Sequence, residues 1–234
     1  VFWPGYIRKF AKSSGTTNAK SKFIPISEES LEDCHFKAGK DLLSIYANNH
    51  PEKSLFSNKN LRLGGSSELY EDFNTKFGDL SAIMIENLPF WVEITTTPSK
   101  KVSLMSEWES KLKAIISEVK NEDVGSMTGV PSWMMVLLQR TLADTGKQTI
   151  SEIWPNLEVF FHGGISFTPY REQYRKIIGK DINYYEIYNA SEGFFAIQDQ
   201  PGSDEMLLML DYGIFYEFIP MDKFNPDNLE AVPL

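Results

Sequence analysis

Apolar residues recur at intervals of three and four over Leu31, Cys34, Ala38, Leu42 and Ile45, directly after Ser27-Glu28-Glu29-Ser30. That spacing puts the side chains on one face and predicts a helix from Ser27, its N-cap, to about Asn48. The same period predicts a short helix over about 79–87. It predicts a longer one over 107–119, capped by Ser106, with Trp108, Leu112, Ile115, Ile116 and Val119 on one side. Pro131 suits the first turn of a further helix reaching about Ala143, and Gly146 stops it. Thr168-Pro169 opens one more, through about Ile178.

Between these stretches the apolar runs are short and rich in β-formers. Residues 8–11, 23–26, 61–63 and 157–161 read as strands, and 51–60 as loop. From Ile182 onward strands are expected at 184–188, 193–198, 206–210 and 214–219, with Met206–Phe218 as a buried hairpin. Helices alternating with strands, then a run of strands, indicate an α/β fold: mixed β-sheets flanked by helices. No internal repeat, low-complexity segment or linker interrupts the chain, so one structural unit is expected.

Composition narrows the function classes. Of 234 residues, 42% are apolar and 24% charged, and sixteen Phe, ten Tyr and five Trp supply bulky core material. Such a chain does not stay disordered. A net charge of −9 disfavours nucleic acid as the main partner, because phosphate neutralisation needs a basic surface. The charge is uneven: residues 1–62 carry ten Lys/Arg against six Asp/Glu, and the remainder 13 against 26. A basic first part suits a phosphate-bearing small ligand, although drift of charge along a chain explains it equally well. Cys34 is the only cysteine, so no internal disulfide forms and a reducing, cytoplasmic location is expected. No apolar run is long enough to span a membrane, and no signal peptide is visible. The first residue is Val1 rather than Met, and the chain ends at Ala231-Val232-Pro233-Leu234, so it reads as an internal piece.

Two constellations carry chemistry. Ser13, Ser14, Gly15, Thr16 and Thr17, followed by Lys20 and Lys22, form a donor-rich turn between two predicted strands. Backbone N–H groups, hydroxyls and nearby ammonium groups can line an anion-binding concavity, with Gly15 allowing the tight turn. It is neither a Walker A motif nor a dinucleotide fingerprint, and the string alone also fits a polar surface turn. Tyr188-Asn189-Ala190-Ser191-Glu192-Gly193 lies between two predicted strands. A carboxylate there suits Mg beside phosphate oxygens, and a plain hairpin turn fits too. His162-Gly163-Gly164 would let a ligand approach the backbone. The same string also resembles an esterase oxyanion loop, a serine-hydrolase reading that is discounted because no Gly-x-Ser-x-Gly elbow occurs. His162 by itself reads as a satisfied structural histidine, and Trp133 with its neighbours as a core helix or the wall of an apolar pocket. His35 and His50 lack partners at zinc-ligand spacing.

In order, Ser13-Ser14-Gly15-Thr16-Thr17 with Lys22, Gly129-Val130-Pro131-Ser132-Trp133-Met134, His162-Gly163-Gly164-Ile165-Ser166-Phe167, Tyr188–Gly193 and Phe215–Pro220 resemble the auxin-responsive-promoter (Gretchen Hagen type) acyl acid amido synthetases. These belong to the acyl-CoA synthetase/luciferase-like adenylating superfamily. The similarity covers essentially the whole chain and resembles bacterial members. It implies that 1–234 is the central part of the large adenylation domain, without the family's N-terminal segment and C-terminal closing domain. The chain alone is therefore expected to be inactive.

The reaction it implies joins a small-molecule carboxylic acid to ATP with Mg, then passes the acyl group to an amine, typically an amino acid. Ser13, Ser14, Gly15, Thr16, Thr17 and Lys22 would hold phosphates, and Glu192 would ligate Mg. Gly163, Gly164, Tyr188, Asn189, Ala190 and Ser191 would border the nucleotide. Trp133, Ile165 and Ser166 would border the acyl group. Asn18 and Ala19 stand where the family often has further glycines. A non-catalytic nucleotide- or acid-binding homologue and an adenylating acyl-CoA ligase are the alternatives.

Overall fold

A computed structural model describes residues 5–13, 22–53, 55–64 and 70–233. The strands are β1 (Lys9–Lys12), β2 (Phe23–Ile26), β3 (Lys59–Leu63), β4 (Tyr70–Asp72), β5 (Thr75–Gly78), β6 (Thr96–Thr97) and β7 (Val124–Gly129). They continue as β8 (Val159–Gly163), β9 (Asn183–Ala190), β10 (Gly193–Ile197), β11 (Leu207–Leu208), β12 (Glu217–Phe218) and β13 (Val232–Pro233). The helices are α1 (Lys37–Asn49), α2 (Leu80–Glu86), α3 (Phe90–Thr95), α4 (Lys100–Ser103), α5 (Trp108–Val119), α6 (Pro131–Thr145) and α7 (Arg171–Ile178).

The larger sheet has the order β11-β10-β9-β8-β7-β3-β6. Its central strands run parallel, while β10 and β11 join antiparallel at one end. The smaller sheet has the order β2-β1-β5-β4. The expected mixed α/β architecture is what folds.

β8 shows how the larger sheet is filled. All five of its residues are buried, as expected of a strand covered on both faces. Phe160 points to one side, among Leu112, Ile115, Leu137, Leu138, Trp154 and Tyr174. Val159 and Phe161 point to the other, where Ala38, Leu42 and Tyr46 of α1 cover them. A third core joins Ala11 and Ile26 of the smaller sheet to Leu31, Phe36, Leu80 and Ile83.

The helix after β2 ties the two sheets together. Ser27 Oγ accepts from Ser30 N at 3.1 Å, as its N-cap role requires. Ser30–Phe36 is wound as π-helix before α1 begins. Leu31 and Phe36 go to the small-sheet core, and Cys34 to the large-sheet core. Cys34 Sγ accepts from Phe194 N at 3.2 Å, which seats this helix on β10.

Three expectations need correction. The cap of α5 is Glu107, not Ser106: its carboxylate accepts from Glu109 N at 2.9 Å through Oε1 and from Ser110 N at 2.7 Å through Oε2. The loop assigned to 51–60 already contains the start of β3. Met206–Phe218 is not a buried hairpin. β11 pairs with β10, whereas β12 leaves to pair with β13, so Phe215 is 80% exposed and only Met209 and Tyr212 are buried.

β7, the strand between β3 and β8, gives almost no sequence signal, because Gly125, Ser126 and Gly129 are weak strand formers. A Cβ on Gly125 would lie 2.6 Å from Asn58 Cβ, so close approach of the preceding loop explains this glycine. No described helix is long and apolar enough to cross a membrane.

Trp154 is the largest fully buried side chain among the described residues, and its Nε1 donates to Val119 O at 3.0 Å. Trp154→Ala is expected to lower the unfolding free energy by about 3–5 kcal/mol, through the cavity and the orphaned carbonyl. Urea denaturation measures the loss.

Candidate functional site

β3 is flanked by β6 on one side and β7 on the other. The chain leaves β3, enters β6, and then returns to the opposite side as β7. In open α/β sheets such a reversal opens a crevice at the carboxyl ends of the strands, and ligands bind there.

The strand ends gather the predicted residues. Gly129 closes β7 opposite His162, and Gly163 closes β8 opposite Ile187. β9 runs three residues further, to Ala190, before Ser191-Glu192 turns the chain into β10. Gly129, Gly163, Gly164, Ile165, Ser166, Tyr188, Asn189, Ala190, Ser191 and Glu192 therefore lie along one edge. The edge is open: Gly164, Ile165, Ser166, Tyr188 and Glu192 are exposed. Tyr188 packs on Phe195 with ring centres 5.0 Å apart.

Backbone geometry explains the glycine pair. A Cβ on Gly163 would collide with the Ile187 carbonyl of the neighbouring strand, so only glycine lets β8 and β9 close up here. Gly164 has φ +84°, the left-handed region that turns the chain out of the strand.

Trp133 lies in the first turn of α6 and is 41% exposed, while Met134, Met135, Leu137 and Leu138 behind it are buried. The helix is thus part of the core, with Trp133 turned out near Trp108 at 6.5 Å between rings.

The phosphate-loop candidate belongs to the smaller sheet. Ser13 follows β1, and its N–H donates to Lys22 O at 2.9 Å, closing the neck of the loop. Lys22 is exposed. Ser14, Gly15, Thr16 and Thr17 lie outside the described residues. The link from this neck to the Glu192 turn runs through β2 and the π-helical segment, whose Cys34 meets Phe194 two residues beyond Glu192.

Several residues of the crevice carry no recognisable motif. Asn60 Nδ2 donates to Ser126 Oγ at 2.9 Å and Thr128 Oγ1 at 3.0 Å, and Arg62 Nη1 to Thr96 Oγ1 at 3.4 Å. Burial lowers the Arg62 pKa to about 10, and Glu93 opposes the shift, so the guanidinium stays charged at neutral pH. The signal was alternation: polar residues at every second position of β3 and β7 line one face. His162 is buried, yet its Nδ1 has no hydrogen-bond partner among the described residues, so it is not the satisfied structural histidine expected. Burial, and then the nearby Arg171 charge, lowers its pKa to about 4.

Among the described residues no group of three or more His, Cys, Asp or Glu is arranged to hold a metal ion. A single exposed carboxylate at Glu192 still fits Mg, which is commonly held by one or two carboxylates together with substrate phosphates.

A family model described as the GH3 family N-terminal domain matches residues 1–182. No curated protein matches the sequence. Among solved structures, "AtGH3.15 acyl acid amido synthetase in complex with 2,4-DB" is similar with a TM-score of 0.73 and 13% identity, over 97% of this chain and 48% of that one. "GH3.15 acyl acid amido synthetase" has a TM-score of 0.64 and 11% identity, over 90% of this chain and 46% of that one. An open conformation of 2-hydroxyisobutyryl-CoA ligase, in complex with 2-HIB-AMP and CoA, has 0.58 and 12%, over 97% and 45%. The chain spans about half the length of these solved proteins, and at such identities the likeness shows the fold.

Proposed function

This chain belongs to the GH3 family, and on that premise we propose that the protein activates a carboxylic acid with ATP and passes the acyl group to an amine, with an amino acid as the preferred amine. One observation carries the reading: the two glycine-rich strand ends and the Glu192 turn lie along the same edge of the parallel sheet, beside its switch point.

The reaction has two displacements. An acid oxygen attacks the α-phosphorus of ATP, and pyrophosphate leaves. The amine then attacks the acyl carbon, AMP leaves, and the amine loses its proton. Attack at phosphorus asks the protein for positioning and charge neutralisation rather than covalent help. Lys22 and the donor-rich turn from Ser13 to Thr17 would hold the phosphates. Gly163, Gly164 and Tyr188 to Ser191 would border the nucleotide. Trp133, Ile165 and Ser166 would border the acyl group. Glu192 would hold Mg, which when bound offsets charge on the phosphates.

The test is ATP–pyrophosphate exchange by the full-length protein across aromatic, aliphatic and jasmonate-like acids, followed by product analysis with amino acids and with coenzyme A. Acid-dependent exchange and an amide product support the reading. A thioester product would replace the second step, and no exchange with any acid would reject the reading. Lys22→Ala is expected to raise the KM for ATP about tenfold or more, as loss of one charged phosphate contact does.

A further inference from the structure

The face of the larger sheet that meets α1 changes character halfway across. On β8 it carries Val159 and Phe161, packed beneath Ala38, Leu42 and Tyr46. On the neighbouring strands the same face is polar. Ser126 and Thr128 of β7 stand beside Val159 and Phe161, Asn60 and Arg62 of β3 stand beside Ser126 and Thr128, and Thr96 of β6 stands beside Asn60. A sheet face turned to the interior is ordinarily apolar, because a buried polar group costs free energy unless it is compensated.

The protein compensates only part of this cluster. The Thr128 hydroxyl accepts from Asn60 and donates to none of the described residues. Arg62 makes one long bond, Nη1 to Thr96 Oγ1 at 3.4 Å. No described carboxylate forms an ion pair with it: Glu93, whose charge reaches it, pairs with Lys100 at 3.6 Å. Arg62 and Thr128 are both only partly buried, so each keeps surface to offer a ligand. A guanidinium drawn into the sheet without a counter-charge is a place for an anion.

Position joins the cluster to the acid. Arg62 and Thr128 are the penultimate residues of β3 and β7, at the carboxyl edge beside the switch point. Two strand spacings, about 10 Å, separate β3 from β8, whose Gly163 borders the nucleotide in the reading above. The Arg62 side chain reaches Thr96 on β6, the side away from β8. A carboxylate reacting at the nucleotide is therefore not the group that Arg62 meets.

Resting on the adenylation reading, we propose that the acid taken by this site is a dicarboxylic acid: one carboxylate reacts at the nucleotide, and Arg62 anchors the other, with Thr128 beside the chain between them. One negative charge suffices to neutralise one guanidinium, and the nearby Glu93 disfavours the double charge of a phosphate. An apolar acid would leave Arg62 unmatched, and a site built for a polar group rejects the analogue that lacks it.

Octanedioate and octanoate share a chain length and differ in the distal carboxylate. In ATP–pyrophosphate exchange by the full-length protein, kcat/KM is expected to be about tenfold or more higher for octanedioate, as one charge-assisted contact supplies. Arg62→Met and Arg62→Gln should each abolish that preference, and Arg62→Lys should retain part of it. Arg62 has no ion pair to lose among the described residues, so these variants should keep the wild-type melting curve. Equal rates, or a preference for octanoate, in the wild-type protein overturn the proposal, as does a preference that a folded Arg62→Met protein retains. Where no acid supports exchange, calorimetric titration with octanedioate separates the two readings. Binding that Arg62→Met abolishes would reject adenylation alone, and no binding at millimolar octanedioate would overturn both.

Discussion

Glu192→Ala in the full-length protein is expected to lower ATP–pyrophosphate exchange about a hundredfold or more, while the denaturation midpoint stays where it was. The magnitude is that of losing one preorganised electrostatic contribution at the reacting phosphate, which Glu192 would make through the Mg it is proposed to hold. The separation of effects follows from where the residue sits. Glu192 is exposed in the two-residue turn between β9 and β10, and the pairing around it, Ala190 with Gly193, is made by backbone. Truncating the side chain removes charge and leaves the ladder intact. Glu192→Gln keeps the size and loses the charge, so it should fall with the alanine variant. Exchange rates at the wild-type level in both would show that the turn is structural and that the phosphates are handled elsewhere.

Gly163→Ala is expected to cost about 2–4 kcal/mol of stability, a size reached when a new atom is forced against fixed backbone. The added Cβ would strike the carbonyl oxygen of Ile187, and its next neighbour is Ile187 Cγ1 at 2.9 Å. A flexible side chain could swing away, but a ladder carbonyl cannot move without parting β8 from β9. The strand ends that border the site would shift with it, so activity and stability should fall together. Gly39→Ala is the control. It sits inside α1 with nothing within 4 Å of the new atom, so the change should raise stability by about 0.5–1 kcal/mol. Urea titration of the two variants against wild type gives both numbers. A neutral Gly163 variant would mean that the β8–β9 spacing relaxes freely.

Much of the fold is legible from local pattern. α1 shows it: Ala38, Leu42 and Tyr46 are its buried positions, and the apolar period already marks that face. α6 begins at Pro131 and ends before Gly146, as proline geometry and a left-handed stop dictate. β7 escapes because its glycines and serine read as loop, and the short α3 because its aromatic and β-branched residues favour strand. β7 forms a strand only because β3 and β8 flank it and supply its hydrogen bonds. The hairpin expected at Met206–Phe218 fails for the converse reason. Its residues favour strands, but which edge they join is a long-range matter: β11 takes the free edge of β10, and β12 pairs with β13.

The sequence by itself determined the α/β class, most of the elements, and the motif order that resembles the family, because periodicity, caps and glycine-rich turns act over a few neighbouring residues. Only the tertiary structure decided that Gly163 and Glu192, about thirty positions apart, share one sheet edge, since strand order depends on contacts far along the chain. It alone aligned Asn60 and Arg62 with Ser126 and Thr128, and it buried Nδ1 of His162 without a hydrogen-bond partner among the described residues. A single residue type shows no such pairing until the strands carrying it lie side by side.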